Sequence, residues 1–385
     1  MVTAFIPVRG GSKSIPLKNI KPFCGKPLVC WNIEALENCA EVDKIIVATD
    51  SDEIETTVGK FNYKKTKIYR RSKENASDTA STESVMLEYI KAVQMSDDEI
   101  FMLVQATSPL TQTADFSGGL TMYSSGQYDS ILTCVRNYRF FWNTDGTSQN
   151  YDYKNRPRRQ NFDGMLMENG AFYINTVKNI KTSGNRLNGK IGIYEMPEYT
   201  SAEIDEPDDW IILENLMRRH ILSKNRPSKP EIKLFLSDVD GTLTDGGMYY
   251  SESGDELKKY NTRDGMGFQM LRERGIKTGI ITSENMALNK RRFEKLKVDF
   301  LIQGKRNGGK LEAALEICSQ LNISLENVAF IGDDVNDVEL LSKVGFAACP
   351  ADACEEVKSV PAIEVMTRKG GEGCVREMVT LVNKM

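Results

Sequence analysis

The sequence predicts an α/β protein made of two doubly wound domains, and two observations support that prediction. In both halves of the chain, short runs of Val, Ile and Leu alternate with segments of helical periodicity. This alternation is typical of a parallel sheet with helices on both faces. Between the halves, residues 223–231 (Ser-Lys-Asn-Arg-Pro-Ser-Lys-Pro-Glu) are polar and include two prolines, as expected for a linker. The domains are therefore predicted at residues 1–222 and 232–385.

Strands and helices alternate in both predicted domains. In the first domain, strands are predicted at residues 2–8, 44–49 and 100–105, and helices at 27–39 and 82–93. In the second, strands are predicted at 232–237, 277–282, 300–303 and 327–332, and helices at 265–274, 287–296 and 310–321. The short apolar runs fit strands that are buried on both faces.

Composition excludes several classes of function. The chain has 385 residues, of which 40% are hydrophobic and 27% charged, and its net charge is −4. It is long enough for two cores and carries no basic excess of the kind that nucleic-acid binders show. It has neither an 18-residue apolar run nor a secretory leader, so no membrane span is predicted. Its eight cysteines include no Cys-x-x-Cys pair, which favours reduced thiols and a cytoplasmic location.

The single histidine, His220, nearly excludes a histidine-based triad or zinc site. Chemistry must therefore come from Asp, Glu, Lys, Arg, Ser and Thr.

A glycine-rich basic loop follows the first predicted strand. Residues 9–19 read Arg-Gly-Gly-Ser-Lys-Ser-Ile-Pro-Leu-Lys-Asn. Glycines expose backbone N–H groups, and Arg9, Lys13 and Lys18 add positive charge, a combination that suits a triphosphate. The loop has neither the Gly-Lys-Ser/Thr ending of a Walker loop nor a Gly-x-Gly-x-x-Gly pattern. On these residues alone, a solvated basic turn remains an alternative.

This loop resembles the signature of the acylneuraminate cytidylyltransferases, the CMP-sialic acid synthetases. The resemblance covers nearly all of residues 1–222 and continues through residues 48–52 (Ala-Thr-Asp-Ser-Asp), 70–71 (Arg-Arg), 105–110 (Gln-Ala-Thr-Ser-Pro-Leu), 156–160 (Arg-Pro-Arg-Arg-Gln), 168–173 (Glu-Asn-Gly-Ala-Phe-Tyr) and 203–205 (Glu-Ile-Asp). It implies a Rossmann-like nucleotide-binding domain. There, the anomeric hydroxyl of a nine-carbon keto sugar acid attacks the α-phosphorus of CTP, and pyrophosphate leaves.

The resemblance also implies roles for the matching positions. CTP would be held by Arg9, Ser12, Lys13, Lys18, Asn19 and Arg71, and the sugar would face Gln105, Asn169 and Tyr173. Glu203 and Asp205 match the paired carboxylates that bind Mg²⁺, although the first position is usually Asp. Their i, i+2 spacing predicts that both lie on one strand face. The basic residues at 156–159 could form a solvated face, a subunit contact or a grip on the sugar carboxylate.

A second motif follows the apolar run 232–236, where residues 237–244 read Ser-Asp-Val-Asp-Gly-Thr-Leu-Thr. Asp238 and Asp240 lie at i and i+2 after a buried strand, so their side chains point the same way before Gly241 turns the chain. One carboxylate can act as a nucleophile and the other as an acid/base, with Mg²⁺ between their oxygens.

Thr282, Lys310 and Asp333 follow this motif in the order found in the haloacid dehalogenase superfamily, and together these four elements resemble that superfamily. The resemblance implies a phosphatase in which Asp238 is the nucleophile, Asp240 the acid/base, Thr282 a hydrogen-bond donor to the phosphoryl group and Lys310 the cation that neutralises it. Mg²⁺ would be held by Asp238, Asp333 and the backbone carbonyl of Asp240. Asp334 and Asp337 are expected to orient Lys310 and the loop.

The segments between Asp240 and Thr282 and between Lys310 and Asp333 are too short to hold a large cap domain. In this respect the second domain resembles the capless branch of the superfamily, which includes 3-deoxy-octulosonate 8-phosphate phosphatase. Residues 263–267 (Arg-Asp-Gly-Met-Gly) and 368–373 (Arg-Lys-Gly-Gly-Glu-Gly) match that branch. The resemblance implies a homotetramer in which a segment of a neighbouring subunit closes each site. The glycine-rich tail is expected to be that segment, with a plain flexible tail as the alternative.

The two motifs together predict a bifunctional enzyme. Its second domain would remove the 9-phosphate from a nonulosonate, and its first would activate the sugar with CTP. The alternative is a monofunctional synthetase whose second domain is a non-catalytic tetramerisation module. Animal CMP-sialic acid synthetases share the two-domain layout but have lost several of these carboxylates, whereas this chain retains all of them. The sequence does not choose between N-acetylneuraminate and its deaminated relative.

Overall fold

The computed structural model describes residues 1–77, 80–222, 230–254, 256–305 and 309–385. The chain divides into two compact units, Met1–Met217 and Arg218–Met385. Of the predicted linker, residues 223–229 lie outside the described residues, and Pro230 and Glu231 have no regular secondary structure. Each unit is an α/β domain, as the sequence predicts.

The first unit contains nine strands and six α-helices within its described residues. The strands are β1 (Val2–Pro7), β2 (Pro22–Phe23), β3 (Lys26–Pro27), β4 (Lys44–Thr49), β5 (Thr66–Arg70), β6 (Ile100–Val104), β7 (Ser130–Asn137), β8 (Met165–Thr176) and β9 (Ile191–Met196). The helices are α1 (Leu28–Glu37), α2 (Asp52–Gly59), α3 (Thr82–Ala92), α4 (Thr113–Ser124), α5 (Val177–Ser183) and α6 (Pro207–Met217). Seven strands form one sheet in the order β5-β4-β1-β6-β8-β7-β9.

The central strand β1 shows how the sequence builds this sheet. Successive side chains of a strand point to opposite faces. Ile6 packs with Ile33 of α1 on one face, and Phe5 packs with Tyr89 of α3 on the other. Both faces are therefore covered, and the carboxyl ends of β1, β4 and β6 meet at one edge. Ligands bind at this edge in open α/β sheets.

The expectation of a purely parallel sheet is wrong at β8, which runs antiparallel to both β6 and β7. This strand was not predicted, because the polar residues Glu168 and Asn169 and the following Gly170 interrupt its apolar pattern. The pairing of β7 with β8 shifts register between Leu132 and Cys134, and Gly170 has a φ of 63°. The strand is thus bulged within residues 168–173, one of the segments that carry the family resemblance.

The second unit contains eight strands and six α-helices within its described residues. The strands are β10 (Leu234–Ser237), β11 (Tyr249–Tyr250), β12 (Glu256–Leu257), β13 (Lys277–Ile281), β14 (Phe300–Ile302), β15 (Val328–Ile331), β16 (Phe346–Cys349) and β17 (Glu364–Val365). The helices are α7 (Thr262–Glu273), α8 (Ala287–Leu296), α9 (Gly309–Leu321), α10 (Val338–Leu341), α11 (Glu355–Lys358) and α12 (Cys374–Val382). Six strands form a parallel sheet in the order β14-β13-β10-β15-β16-β17. β11 and β12 form a separate hairpin.

Strand β10 alternates in the same way as β1. Leu236 packs with Ile317 of α9 on one face of the sheet, and Phe235 packs with Phe268 of α7 on the other. Helix α7 begins three residues earlier than predicted, because the Asn261 side chain caps it by accepting the N–H of Arg263.

The glycine-rich segment at residues 368–373 packs on a loop of its own chain. The Gly371 N–H donates to the Thr242 carbonyl at 3.0 Å. A Cβ added at Gly370 would lie 1.9 Å from the Gly241 carbonyl oxygen. Helix α12 follows and is largely buried. Residues 370–371 are thus held by their own chain, which contradicts the alternative of a plain flexible tail.

Asp264 joins the first turn of α7 to α12. Its Oδ1 accepts the Arg376 N–H at 2.8 Å, while its Oδ2 is buried and has no hydrogen-bond partner in the described part of the chain. Burial raises the pKa of this carboxyl to about 6, against the attraction of Arg368, Arg292 and Arg376.

We expect Asp264→Asn to flatten the pH dependence of stability. A carboxyl with a raised pKa binds its proton more tightly in the folded state, so it stabilises the fold below about pH 4 and that contribution is lost as the pH rises through about 6. The variant should therefore gain in Tm relative to the wild type between pH 4.5 and 7, measured by thermal unfolding of both proteins. A Tm difference that stays constant over this range would contradict the assignment.

No helix in the described ranges has both the length and the apolar character needed to cross a membrane.

Candidate active sites

The first candidate site is a cavity of about 280 Å³ at the carboxyl ends of the strands of the first unit. Of the residues predicted to bind nucleotide or sugar, those that line it are Arg9, Ser12, Lys18, Asn19, Arg71 and Gln105. Lys13 is exposed and is not among the lining residues. The cavity thus brings three cationic side chains together in a polar recess, which suits a polyanionic ligand.

The loop after β1 is held close to the end of β4. The Gly10 N–H donates to Asp50 Oδ1 at 3.1 Å, and a Cβ added at Gly10 would lie 2.9 Å from the Ser51 Cβ. Only glycine allows this approach without a shift of the backbone. Asn19 is buried, and its amide donates to the Arg9 carbonyl at 3.1 Å, which closes the loop.

Arg71 is fixed from the other side of the cavity. Its Nε donates to the Ala48 carbonyl at 2.9 Å, and burial lowers the pKa of its guanidinium. An arginine in this position stays cationic, since its ordinary pKa lies far above neutrality.

Two residues predicted to face the sugar do not line this cavity. Asn169 is buried, and its amide donates to the carbonyl of Thr200 at 3.1 Å. Its Oδ1 is buried and has no hydrogen-bond partner among the described residues. The Tyr173 hydroxyl donates to Glu168, and burial raises its pKa well above the usual value.

The expectation that Glu203 and Asp205 share one strand face is wrong, because residues 201–205 form no strand. Neither residue lines the cavity, but both contact residues that do. The Thr107 hydroxyl donates to Glu203 Oε2 at 3.2 Å, and Lys18 Nζ donates to the Ile204 carbonyl at 2.6 Å and to Asp205 Oδ1 at 3.3 Å. Burial raises the pKa of Glu203. Mg²⁺ is commonly bound by one or two carboxylates together with substrate phosphates, so this pair fits that ion.

The second candidate site lies where three neighbouring strands end. Asp238 follows β10, Thr282 follows β13 and Asp333 comes soon after β15. Carboxyl ends of parallel strands share one edge, so the sheet brings these side chains together. Backbone hydrogen bonds to neighbouring strands hold the first two in place. The Asp238 N–H donates to the Ile331 carbonyl and the Thr282 N–H to the Ile302 carbonyl, each at 3.0 Å.

Lys310 is the buried cation of this site. Its ammonium lies 2.9 Å from Asp238 Oδ1 and 2.6 Å from Asp337 Oδ1, and its side chain is 2% exposed. Burial acts to lower its pKa, but the attraction of the two carboxylates outweighs burial and raises it. Asp337 also accepts the N–H groups of Asp333 and Asp334 through Oδ2, so it fixes both Lys310 and the loop after β15.

The carboxylates here fit a divalent cation. Oxygens of Asp238, Asp333 and Asp337 lie within 4.8 Å of one another. Burial and the charge of Asp337 raise the pKa of Asp238 well above its usual value and that of Asp333 to about 7. Such crowded, desolvated carboxylates carry negative charge that Mg²⁺ would compensate. Because both Asp337 oxygens already accept hydrogen bonds, Asp238 and Asp333 are the better ligands.

Two glycines make room for this arrangement. Gly241 has a φ of 81°, and a Cβ there would lie 2.0 Å from Asp333 Oδ2. A Cβ at Gly332 would lie 2.5 Å from Asp337 Oδ2. The Thr242 hydroxyl donates to Asp333 Oδ1 at 3.0 Å and holds that carboxylate in place.

Sequence reasoning missed Lys258, which contacts Asp240. Its ammonium lies 2.6 Å from Asp240 Oδ1, and its side chain is 1% exposed. Asp240 Oδ2 is buried without a hydrogen-bond partner in the described ranges. Lys258 follows the β11–β12 hairpin, and only the folding back of that hairpin brings it to the site. In the sequence, the pair Lys258-Lys259 is indistinguishable from a solvated turn.

Comparisons with known proteins found two families, one in each part of the chain. A family described as cytidylyltransferase matches residues 3–220, and a family described as haloacid dehalogenase-like hydrolase matches residues 304–373. The C-terminal part is similar to 3-deoxy-D-manno-octulosonate 8-phosphate phosphatase KdsC of Escherichia coli K12, at 39% identity over 39% of this chain and 79% of the relative. A solved phosphatase of the same name from Moraxella catarrhalis has 37% identity over 40% of this chain and 88% of that chain, with a TM-score of 0.39.

Two fish proteins are similar over almost the whole chain. N-acylneuraminate cytidylyltransferase B of Danio rerio is 33% identical over 99% of this chain and 90% of the relative. N-acylneuraminate cytidylyltransferase of Oncorhynchus mykiss is 34% identical over 98% of this chain and 87% of the relative. The chain therefore belongs to the N-acylneuraminate cytidylyltransferase family.

Proposed function

We propose that this protein is a bifunctional enzyme of nonulosonate activation. One unit transfers CMP from CTP to a nine-carbon 2-keto-3-deoxy sugar acid and releases pyrophosphate. The other hydrolyses the 9-phosphate of the same sugar. The two reactions are consecutive, because the phosphatase product is the sugar acid that the transferase consumes.

In the first unit, the anomeric hydroxyl of the sugar attacks the α-phosphorus of CTP, and the bond to pyrophosphate breaks. Arg9, Lys18 and Arg71, which line the cavity, would hold the triphosphate. Mg²⁺ held by Glu203 and Asp205 would neutralise charge on the phosphates. The remaining binding groups of the proposal are Ser12, Lys13 and Asn19 for the nucleotide and Gln105, Asn169 and Tyr173 for the sugar.

In the second unit, Asp238 attacks the phosphorus of the sugar phosphate, and Asp240 gives a proton to the leaving sugar oxygen. Asp240 then takes a proton from the water that hydrolyses the aspartyl phosphate, so orthophosphate leaves and Asp238 is restored. Thr282 and Lys310 contact the transferred phosphoryl group. Mg²⁺ held by Asp238, Asp333 and the Asp240 carbonyl would neutralise the phosphoryl charge.

A single observation supports the phosphatase most: the buried contact of Lys310 with Asp238 and Asp337. Burying three ionised groups is costly, and a hydrophobic replacement is often neutral or stabilising. A domain needed only for assembly would gain nothing from these three buried charges.

A homotetramer formed through the second unit remains part of the proposal, and light scattering on the purified protein checks its mass.

One reaction mixture tests both activities. Purified protein, Mg²⁺, CTP and a 9-phosphorylated nonulosonate are combined, and orthophosphate, pyrophosphate and CMP-sugar are quantified separately over time. We expect orthophosphate first, followed by pyrophosphate and CMP-sugar. If pyrophosphate and CMP-sugar form only from the unphosphorylated sugar, and the 9-phosphate yields no orthophosphate, the second unit is a scaffold or acts on another ester.

We expect Lys258→Met to slow hydrolysis of the sugar phosphate about 10- to 100-fold, less than the ~10²–10⁴-fold that general acid catalysis typically contributes, because Asp240 itself is retained. Lys258 would act by orienting Asp240 for proton donation. Hydrolysis of p-nitrophenyl phosphate should fall much less, because its leaving group needs no proton. Both rates are measured as kcat with saturating Mg²⁺.

Lys259→Met is the matched control, because Lys259 is the next residue, is 61% exposed and contacts Asp245 rather than Asp240. An equal loss for both substrates in Lys258→Met would show that Lys258 does not act through Asp240.

A further inference from the structure

Glu88 of α3 holds the loop that follows β5. Its carboxylate accepts hydrogen bonds from the Tyr69 hydroxyl at 2.9 Å and from the Ser72 N–H at 3.0 Å. It also accepts hydrogen bonds from the Ser72 hydroxyl and the Asn75 amide. One side chain therefore fixes both ends of the segment from Ser72 to Asn75.

The charge of Glu88 is stabilised by these donors. Burial acts to raise its pKa, but the hydrogen bonds from Ser72, Asn75 and Tyr69 outweigh burial and hold the pKa at about 2. The carboxylate also acts electrostatically on Arg71 and opposes the lowering of its pKa by burial.

The loop that Glu88 fixes forms one wall of the nucleotide cavity. Asn75 and Ser77 line the cavity together with Arg71, whereas Glu88 itself is not among the lining residues. The Ser77 hydroxyl donates to the Glu74 carbonyl at 2.8 Å, which ties Ser77 to the same turn. A change at Glu88 must therefore reach a ligand through Asn75, Ser77 and Arg71.

We propose that Glu88 is a positioning residue for the nucleotide: it sets the loop carrying Asn75 and Ser77 at the distance from Arg71 that CTP requires. This inference rests on the proposed reaction with CTP. It assigns Glu88 no contact with the reacting atoms, so its effect falls on nucleotide affinity and not on the chemical step.

The variant Glu88→Gln tests this role. Glutamine keeps the size of the side chain but replaces one carboxylate oxygen with an NH₂ group. Because the Ser72 N–H donates to Oε1 and the Asn75 amide to Oε2, one of the two loses its acceptor in either orientation of the amide, and the loop loses one of its two attachments. We expect KM for CTP and the Kd for CTP measured by calorimetry to rise about 10-fold, while kcat stays within about twofold. The phosphatase rate of the same chain should not change.

Glu37→Gln is the matched control. Glu37 of α1 likewise binds a loop, through the N–H groups of Lys64 and Lys65 and the Thr66 hydroxyl, but neither it nor these partners line the cavity. The control should resemble Glu88→Gln in any loss of Tm but retain wild-type KM and Kd for CTP.

Two negative results are distinguishable. If the wild type binds CTP and Glu88→Gln binds it equally well, or loses affinity only as much as Glu37→Gln, the assignment of Glu88 is wrong. If the wild type neither binds CTP nor releases pyrophosphate, the proposed cytidylyltransferase reaction fails, and the role of Glu88 fails with it.

Discussion

Asp238→Asn is expected to lower phosphate release from the sugar 9-phosphate by at least about 10⁴-fold, the loss typical of removing a nucleophile that forms a covalent intermediate. Asparagine fills the same space but cannot attack phosphorus as a carboxylate does. The measurement is orthophosphate release at saturating substrate and Mg²⁺. The cytidylyltransferase rate on the unphosphorylated sugar should remain that of the wild type, because Asp238 lies in the other unit.

Asp238→Ala is made in parallel, since deamidation of an asparagine would restore the nucleophile and produce a false residual rate. Phosphate release within tenfold of the wild type in both variants would mean that Asp238 is not the nucleophile. A trapping experiment gives independent support. Rapid denaturation during turnover should leave the phosphorus of a labelled substrate bound to the wild type and to neither variant.

Lys310→Met has the largest effect that we expect on stability. It leaves Asp238 and Asp337 buried at 6% and 0% exposure without their cation. Removing one partner of a buried ion pair typically costs about 3–5 kcal/mol, because the remaining charge is left uncompensated. The second unit should therefore unfold at markedly lower urea concentration than in the wild type, in buffer without divalent cations.

The positions of the tryptophans make this measurement specific. Trp31, Trp142 and Trp210 all lie in the first unit, so their fluorescence reports its unfolding, while circular dichroism reports both units. We expect Lys310→Met to leave the fluorescence transition unchanged and to add an early transition in circular dichroism.

Lys343→Met is the control for the loss of a lysine. Lys343 pairs with Glu339 on the surface, with both side chains about half exposed, and surface pairs contribute little. If the two variants shift the circular dichroism transition equally, the buried ion pair does not hold the second unit together.

The sequence predicted the strands that matter most for the sites, and the reason is physical. A parallel strand buried on both faces is a continuous apolar run, so β1, β6, β10 and β15 can be recognised without their partners. Glycine and charge directly after such a run then mark the loops at the sheet edge. The loop after β1 and the Asp238 motif are of this kind.

The remaining parts of the sites depend on contacts between distant segments. Lys258 reaches Asp240 only because a hairpin folds back, and Glu88 meets Ser72 and Asn75 only because α3 packs beside β5. Neither residue differs in its local sequence from an exposed charged residue. The bulged strand β8 was missed for a related reason, since its polar residues Asn169 and Asn175 are buried by neighbours that the local pattern does not contain.

The packing of Gly370 and Gly371 against the Asp238 loop has a consequence for protein synthesis. Cys374, which donates from Sγ to the Thr242 carbonyl, comes 132 residues after it in the chain. During translation, the first unit can fold while the ribosome is still making the second, since domains generally fold as units. The loop with the Asp238 nucleophile reaches its final packing only after residues 370–382 have left the ribosome. A nascent or proteolytically shortened chain that lacks them would retain the first site and leave the second without its supporting wall.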